Sequence, residues 1–295
     1  MDHGSEQGKG KQENVHKRMD PGNADAGKGH GEHGEMAMGP AVAPEEAGVS
    51  VEMRVTPGSP APARPVELGY RVFDAESGEV ITRLPVGHER QMHLIAVSKD
   101  LEDFRHIHPK PGPGGDFAVT TEFSEEGDYV LYDEFKYEGQ TVLDRRELVV
   151  GDGGGKASLS PDMKPKTVGG LTVSLEAPER IRAGEEVVFT YMVEKDGGAP
   201  ADDLEPYLGA AAHVAIVSED TREFVHTHGE DVASGGKAAS DHGHGGGHGV
   251  HGEGQTFGPR IAFTHTFQEP GLYKIWAQFD HHGDIVIVPF VAEVE

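Results

Sequence analysis

The chain has 295 residues, 36% hydrophobic, with 42 glycines and 19 prolines, enough for two domains with cores of their own plus a good deal of unstructured chain. Lys and Arg number 26 against 51 acids, and the formal charge of −25 repels nucleic acid and anionic lipid while attracting cations diffusely, unless it serves solubility alone. Cysteine is absent, which excludes thiolate metal sites, disulfides and cysteine nucleophiles and leaves His, Met and carboxylate as ligands.

Residues 1–48 hold almost no large apolar side chain and are predicted to be a disordered tail. The tail carries His3, His16, Met19, His30, His33, Met36 and Met38, a composition that can wrap an ion loosely without preorganising a site. Its first residues are polar and do not read as a signal peptide, and no apolar run approaches the roughly 20 residues that cross a membrane, so no membrane insertion is expected. From 49 to 150 the texture turns to short alternating runs: 49–55, 66–73, 80–84, 92–98, 104–108, 117–123, 129–137 and 141–150. Period-two runs between Gly, Pro and Asp turns predict antiparallel strands, and this number in about 100 residues fits an immunoglobulin-like sandwich. Residues 151–168 read as a Gly- and Lys-rich linker. A second set of runs follows in 169–295, at 171–175, 186–194, 213–218, 223–228, 260–267, 272–280 and 284–294. The expected fold is all-β, a tandem of immunoglobulin-like or cupredoxin-like β-sandwiches behind a disordered tail.

The two halves repeat. Met92-His93-Leu94-Ile95-Ala96-Val97-Ser98, with Phe104-Arg105-His106-Ile107-His108 after it, returns as Ala212-His213-Val214-Ala215-Ile216-Val217-Ser218 and Phe224-Val225-His226-Thr227-His228. The offset is 213 − 93 = 120, and 226 − 106 and 228 − 108 give the same. Gly127-x-Tyr129-x-x-Tyr132-x-x-Phe135 returns as Gly271-x-Tyr273-x-x-Trp276-x-x-Phe279 at an offset of 144, so the second copy has gained 144 − 120 = 24 residues. The gain is a Gly- and His-rich insertion in the loop 229–258, which includes His242 and His244.

Residues i and i+2 of a strand share a face a little under 7 Å apart, so His106 with His108, and His226 with His228, are pairs able to hold one ion. If short turns join hairpins, His93 and His213 start the strands opposite those pairs, and three imidazoles converge at one end of each sandwich. The first copy adds His88 and Met92, where the second has Leu208 and Ala212, so the first is the better candidate and the second would compensate through the loop or through His281 and His282. The candidate ligands are thus His88, Met92, His93, His106, His108, His213, His226, His228, His242 and His244. A repeated histidine can instead be a buried residue bonded to backbone that holds hairpin geometry, a reading that weighs more for His93 and His213 than for the His-x-His pairs. Hydrolytic motifs are missing: no Gly-x-Ser-x-Gly, Walker loop or His-Glu-x-x-His occurs.

Met92 to Leu101 with His106-Ile107-His108-Pro109, and Pro270-Gly271-Leu272-Tyr273-Lys274-Ile275-Trp276, resemble bacterial exported FixH/YtkA-like or cupredoxin-like β-sandwich proteins, which are often His- and Met-rich. The resemblance implies an extracytoplasmic place, in the periplasm or at the cell surface, and heavy-metal or copper handling with a metal-transport protein as partner. Two features depart from it: no export signal or lipid-anchor Cys is seen, and Gly229 replaces the proline in the second copy. Without a Cys ligand the chain is no blue-copper protein. The expectation is non-enzymatic binding, sequestration or delivery of a transition-metal ion, copper first and zinc or nickel as alternatives. The competing readings are an envelope structural or adhesion module with architectural histidines, and a His₃ metalloenzyme needing Asp103 or Glu89 as base.

Overall fold

The computed structural model describes residues 41–232 and 255–295, together with the backbone of strand β1 (Val15–Lys17). In the first sandwich, strands β2 (Val49–Thr56), β3 (Pro65–Asp74), β7 (Asp116–Glu122) and β6 (Lys110–Pro111) form one sheet in that order. Strands β5 (Phe104–Ile107), β4 (Met92–Ser98), β8 (Gly127–Tyr137) and β9 (Gln140–Val150) form the other. Alternation along β4 explains the packing: Met92, Leu94 and Ala96 enter the core between the sheets, while Ile95 and Val97 face the opposite way. Both sandwiches are immunoglobulin-like, and among the described residues the single helical element is a 3₁₀ turn at Pro113–Gly115.

The second sandwich repeats the order with β11 (Leu171–Glu176), β12 (Glu186–Lys195), β13 (Ala212–Ser218), β14 (Phe224–Asp231), β15 (Arg260–Thr266), β16 (Gly271–His281) and β17 (Asp284–Val294), preceded by the short β10 (Lys166–Val168). One residue produces a topological difference. Pro109 lacks a backbone N–H and splits the first copy's strand into β5 and β6. Gly229 at the matching place lets β14 run on, pairing first with β13 and then, at Glu230 and Asp231, with β15. A Cβ at Gly229 would lie 2.4 Å from Ile261 Cγ2, so the crossing requires glycine. The second copy thereby becomes part of a nine-stranded sheet, β1-β17-β16-β13-β14-β15-β12-β11-β10, with β1 and β10 at its edges.

Three expectations change. Residues 80–84 form no strand; Val80 makes a single bridge to Phe73, and Leu84 is buried in the core. Residues 41–48 of the expected tail are folded, because Val42 pairs with Val142 and the apolar Ala47 packs on the core; residues 1–40 lie outside the described residues apart from the β1 backbone. The expected linker is a packed strap. Ala157 is buried with Leu159 beside it, the Leu159 N–H donates to Glu219 Oε1 (2.8 Å), and Asp162 pairs with Val291.

The two sandwiches meet through the outer faces of β4–β5–β8 and β13–β14–β16. Ile95, Val97, Phe104, Val130 and Tyr132 pack there against Ala215, Val217 and Trp276. The contact has local two-fold logic: Phe104 stacks on Trp276 at 4.8 Å, and the matching pair, Phe224 on Tyr132, stacks at 4.3 Å. The three-residue spacing of the aromatic series follows from this. Tyr129, Phe135, Tyr273 and Phe279 fill the two cores, while Tyr132 and Trp276 lie on the opposite strand face, in the interface. The Tyr132 hydroxyl donates to the Thr221 carbonyl (2.7 Å), and the Lys274 ammonium donates to the carbonyl of Leu101, the residue that matches Thr221. Replacing Trp276 with Ala removes a 3% exposed side chain from this contact and should cost about 3–5 kcal/mol in urea unfolding. A loss under about 1 kcal/mol would mean that the sandwiches do not depend on this packing.

Candidate metal centre

The two-fold contact that joins the sheets also brings both histidine sets together. β4 and β5 pair antiparallel with Ile95 opposite His106, and β13 pairs with β14 with His213 opposite His228. The expected cross-strand convergence is therefore present within each hairpin. The two hairpins do not form separate sites at separate ends, however. His106 lies 5.4 Å from His213 and 4.9 Å from His226 between ring centroids, and His93 lies 5.3 Å from His226. Two triads have their nitrogens within 4.8 Å of one another, His93–His106–His108 and His106–His213–His226, and His106 belongs to both. The result is one buried imidazole cluster built from both copies.

Partners outside the cluster decide where its protons sit. His93 Nε2 donates to the Gly87 carbonyl (3.0 Å), so in the neutral ring Nδ1 carries a lone pair. His106 Nδ1 donates to Gln278 Oε1 (2.7 Å), which leaves a lone pair on Nε2. These two unprotonated nitrogens face each other at 3.2 Å. His108 Nε2 stands a further 3.2 Å from the same His106 nitrogen. Metal–imidazole bonds of about 2.0–2.1 Å in tetrahedral geometry place donor nitrogens about 3.3 Å apart, and the two separations that His106 makes, with His93 and with His108, match that spacing. In the second hairpin His226 Nδ1 lies 3.3 Å from Glu134 Oε1, and its Nε2 is 3.0 Å from His213 Nδ1. His213 Nε2 is buried without a hydrogen-bond partner among the described residues.

Glu134 and Gln278 are two-fold mates, since 278 − 134 = 144, and each holds the outer nitrogen of the other copy's histidine. A carboxylate or amide behind a ligating imidazole fixes the tautomer and aims the ring. Burial pushes His93 down to about 4, helped by the charge of His226, and pushes His108 down to about 2. Burial likewise holds His106 and His213 well below the ordinary histidine value. For Glu134 burial opposes ionisation, yet the charge and hydrogen bond of His226 keep its carboxyl below the usual range. His93, His106, His108 and His213 are thus held as neutral imidazoles, the form that binds metal.

Other expected ligands fare differently. Met92 is fully buried in the core of the first sandwich, because neighbours on a strand point to opposite faces and His93 occupies the interface side; it is no ligand here. The His88 ring stacks on His228 at 3.8 Å, reaching across from the turn Gly87–Arg90, and both rings border the triads. His281 and His282 stand with Asp203 in a separate group. His242 and His244 lie outside the described residues. Asp103, a candidate base, is engaged by Arg105 and the Tyr129 hydroxyl (3.1 and 3.0 Å). Gly87, Glu134 and Gln278 escape a reading of the sequence, although the 144-residue offset that pairs the aromatics also pairs Glu134 with Gln278.

No curated protein matches the chain. Among solved structures, the Escherichia coli adhesin FdeC is 13% identical over 83% of this chain and 64% of its own, with a TM-score of 0.27. Salmonella alpha-2-macroglobulin is 13% identical over 84% of this chain and 15% of its own, with a TM-score of 0.27. An ICAM-5 D1–D4 ectodomain fragment is 13% identical over 83% and 53%, with a TM-score of 0.23. The chain spans less than two thirds of the length of each. A family model described as "Domain of unknown function (DUF8832)" matches residues 45–150 and again residues 166–295. The match does not bear out the FixH/YtkA-like or cupredoxin-like resemblance beyond a compatible β-sandwich. Matched along both sandwiches, the chain belongs to the DUF8832 family.

Proposed function

We propose that the protein binds a transition-metal ion at the interface of its two sandwiches, without catalysing a reaction, and so sequesters or delivers it. The observation that carries the reading is the pair of lone-pair nitrogens, His93 Nδ1 and His106 Nε2, turned toward each other at 3.2 Å with His108 alongside. Two buried acceptors face to face repel unless a cation lies between them. With Met92 turned away, the donor set is imidazole, which favours Cu(II), with Zn(II) and Ni(II) as alternatives. The acidic chain adds a diffuse attraction for cations. We place the protein outside the cytoplasm, with a metal-transport protein as its partner, on the resemblance to exported metal-handling sandwiches.

A second reading is favoured by the interface itself. Phe104, Trp276, Tyr132 and Phe224 already join the sandwiches, and the histidines partly satisfy one another, as architectural residues of an envelope structural or adhesion module would.

Cu(II) titration of the full chain against a competing chelator separates the readings. Metal binding predicts that His106→Asn with His108→Asn weakens the tightest equivalent at least 100-fold, and that 100 Kd of free Cu(II) stabilises only the unsubstituted protein, by about 2.7 kcal/mol. Equal binding by both proteins, or no rise in Tm for either, would leave the architectural reading standing.

The neutral His93 ring also sets a pH dependence for the metal-free protein. His93 titrates at about 4 when folded against 6.5 as a free side chain, so below pH 6.5 the unfolded chain takes up a proton that the native state refuses. Stability should be full above pH 6.5 and fall as pH drops toward 4, by about 3 kcal/mol from this group alone. Denaturant melts between pH 7.5 and 4.5 measure this directly; a flat profile would show the rings to be hydrated.

A further inference from the structure

β16 serves the metal centre through Gln278 and then continues to His281, three residues and about 10 Å farther by strand rise. A segment antiparallel to it makes the bridge Glu205 to Asp280. Continued in register, that bridge sets Tyr207 opposite Gln278 and Asp203 opposite His282. The Tyr207 ring indeed lies 5.2 Å from His213 and 6.2 Å from His106, at the edge of the buried cluster. The other end of the ribbon gathers a different donor set. Asp203, His281 and His282 have ligand atoms within 4.8 Å of one another.

His281 Nε2 is 3.5 Å from Asp203 Oδ1, and both atoms are buried without a hydrogen bond among the described residues. His282 Nε2 is 3.7 Å from Asp203 Oδ2. The Lys195 ammonium takes Oδ2 at 2.8 Å and fixes the carboxylate, leaving Oδ1 aimed at His281. An ordinary histidine–aspartate ion pair would close that gap with a hydrogen bond of about 2.8 Å. The observed spacing is instead the donor separation of about 3.4 Å across an ion with bonds of 2.0–2.2 Å. His282 is 66% exposed on its side chain, so this group opens to solvent, unlike the interdomain cluster.

We propose that Asp203, His281 and His282 form a distinct, solvent-accessible site for a divalent transition ion of the borderline class, such as Zn(II). One carboxylate and two imidazoles supply three ligands, and water completes the shell. This site shares no ligand with the interdomain centre, so the two are separable.

Equilibrium dialysis of the full-length protein against Zn(II) tests it. His281→Asn with His282→Asn, and separately Asp203→Asn, should each remove one zinc equivalent or weaken it at least tenfold. The metal-free Tm and the equivalents sensitive to His106→Asn with His108→Asn should stay unchanged. Zinc binding by either variant that matches the unsubstituted protein in stoichiometry and affinity would overturn the proposal while leaving the interdomain centre untouched. Loss of binding in the His106 and His108 variant alone would overturn it as well.

Discussion

The structure depends on one constraint: two β-sheets that would ordinarily turn a polar outer face to water are packed against each other, and the histidines of both lie within that contact. Aromatic stacking supplies the apolar part of the contact, with Phe104 on Trp276 and Phe224 on Tyr132. The imidazoles are the costly part, because a buried ring nitrogen needs a partner as surely as a buried amide does. Partners exist on the outer side, at Gly87, Gln278 and Glu134. On the inner side the rings have one another. That division leaves neutral nitrogens pointing inward, which a metal ion would satisfy.

The two-fold relation is imperfect in ways that matter chemically. Gln278 stands where its mate is Glu134, so one histidine is backed by an amide and the other by a carboxylate. His88 stands where the second copy has Leu208, and both occupy turns with positive φ, 47° and 49°. The carboxylate behind His226 brings a negative charge to the cluster, whereas the amide behind His106 fixes orientation without adding charge. The two halves of the cluster are therefore unequal donors, and His106, common to both triads, is the residue through which one half affects the other.

Much of this is legible in the sequence. Period-two runs locate every strand except the short β1, β6 and β10, and the equal 120-residue offsets of three histidines identify the repeat without any knowledge of the fold. The aromatic triplets are ambiguous because a spacing of three changes strand face, and only the interface explains why Tyr132 and Trp276 need to be large. Residues 80–84 mislead because apolar content alone cannot distinguish a strand from a segment that inserts Leu84 into the core. The union of the two histidine sets is not readable. It depends on which sheet faces meet, and nothing local to His93 or His213 encodes that. Met92 is the opposite case, since its position next to His93 already places it on the other face of the strand.

The most direct test of the account is an anomalous difference map, at the copper absorption edge, from crystals of the Cu(II)-loaded protein. A peak within bonding distance of His93 Nδ1, His106 Nε2 and His108 Nε2 is the predicted result. Copper bound elsewhere, with the three rings unmoved and no density between them, would contradict it.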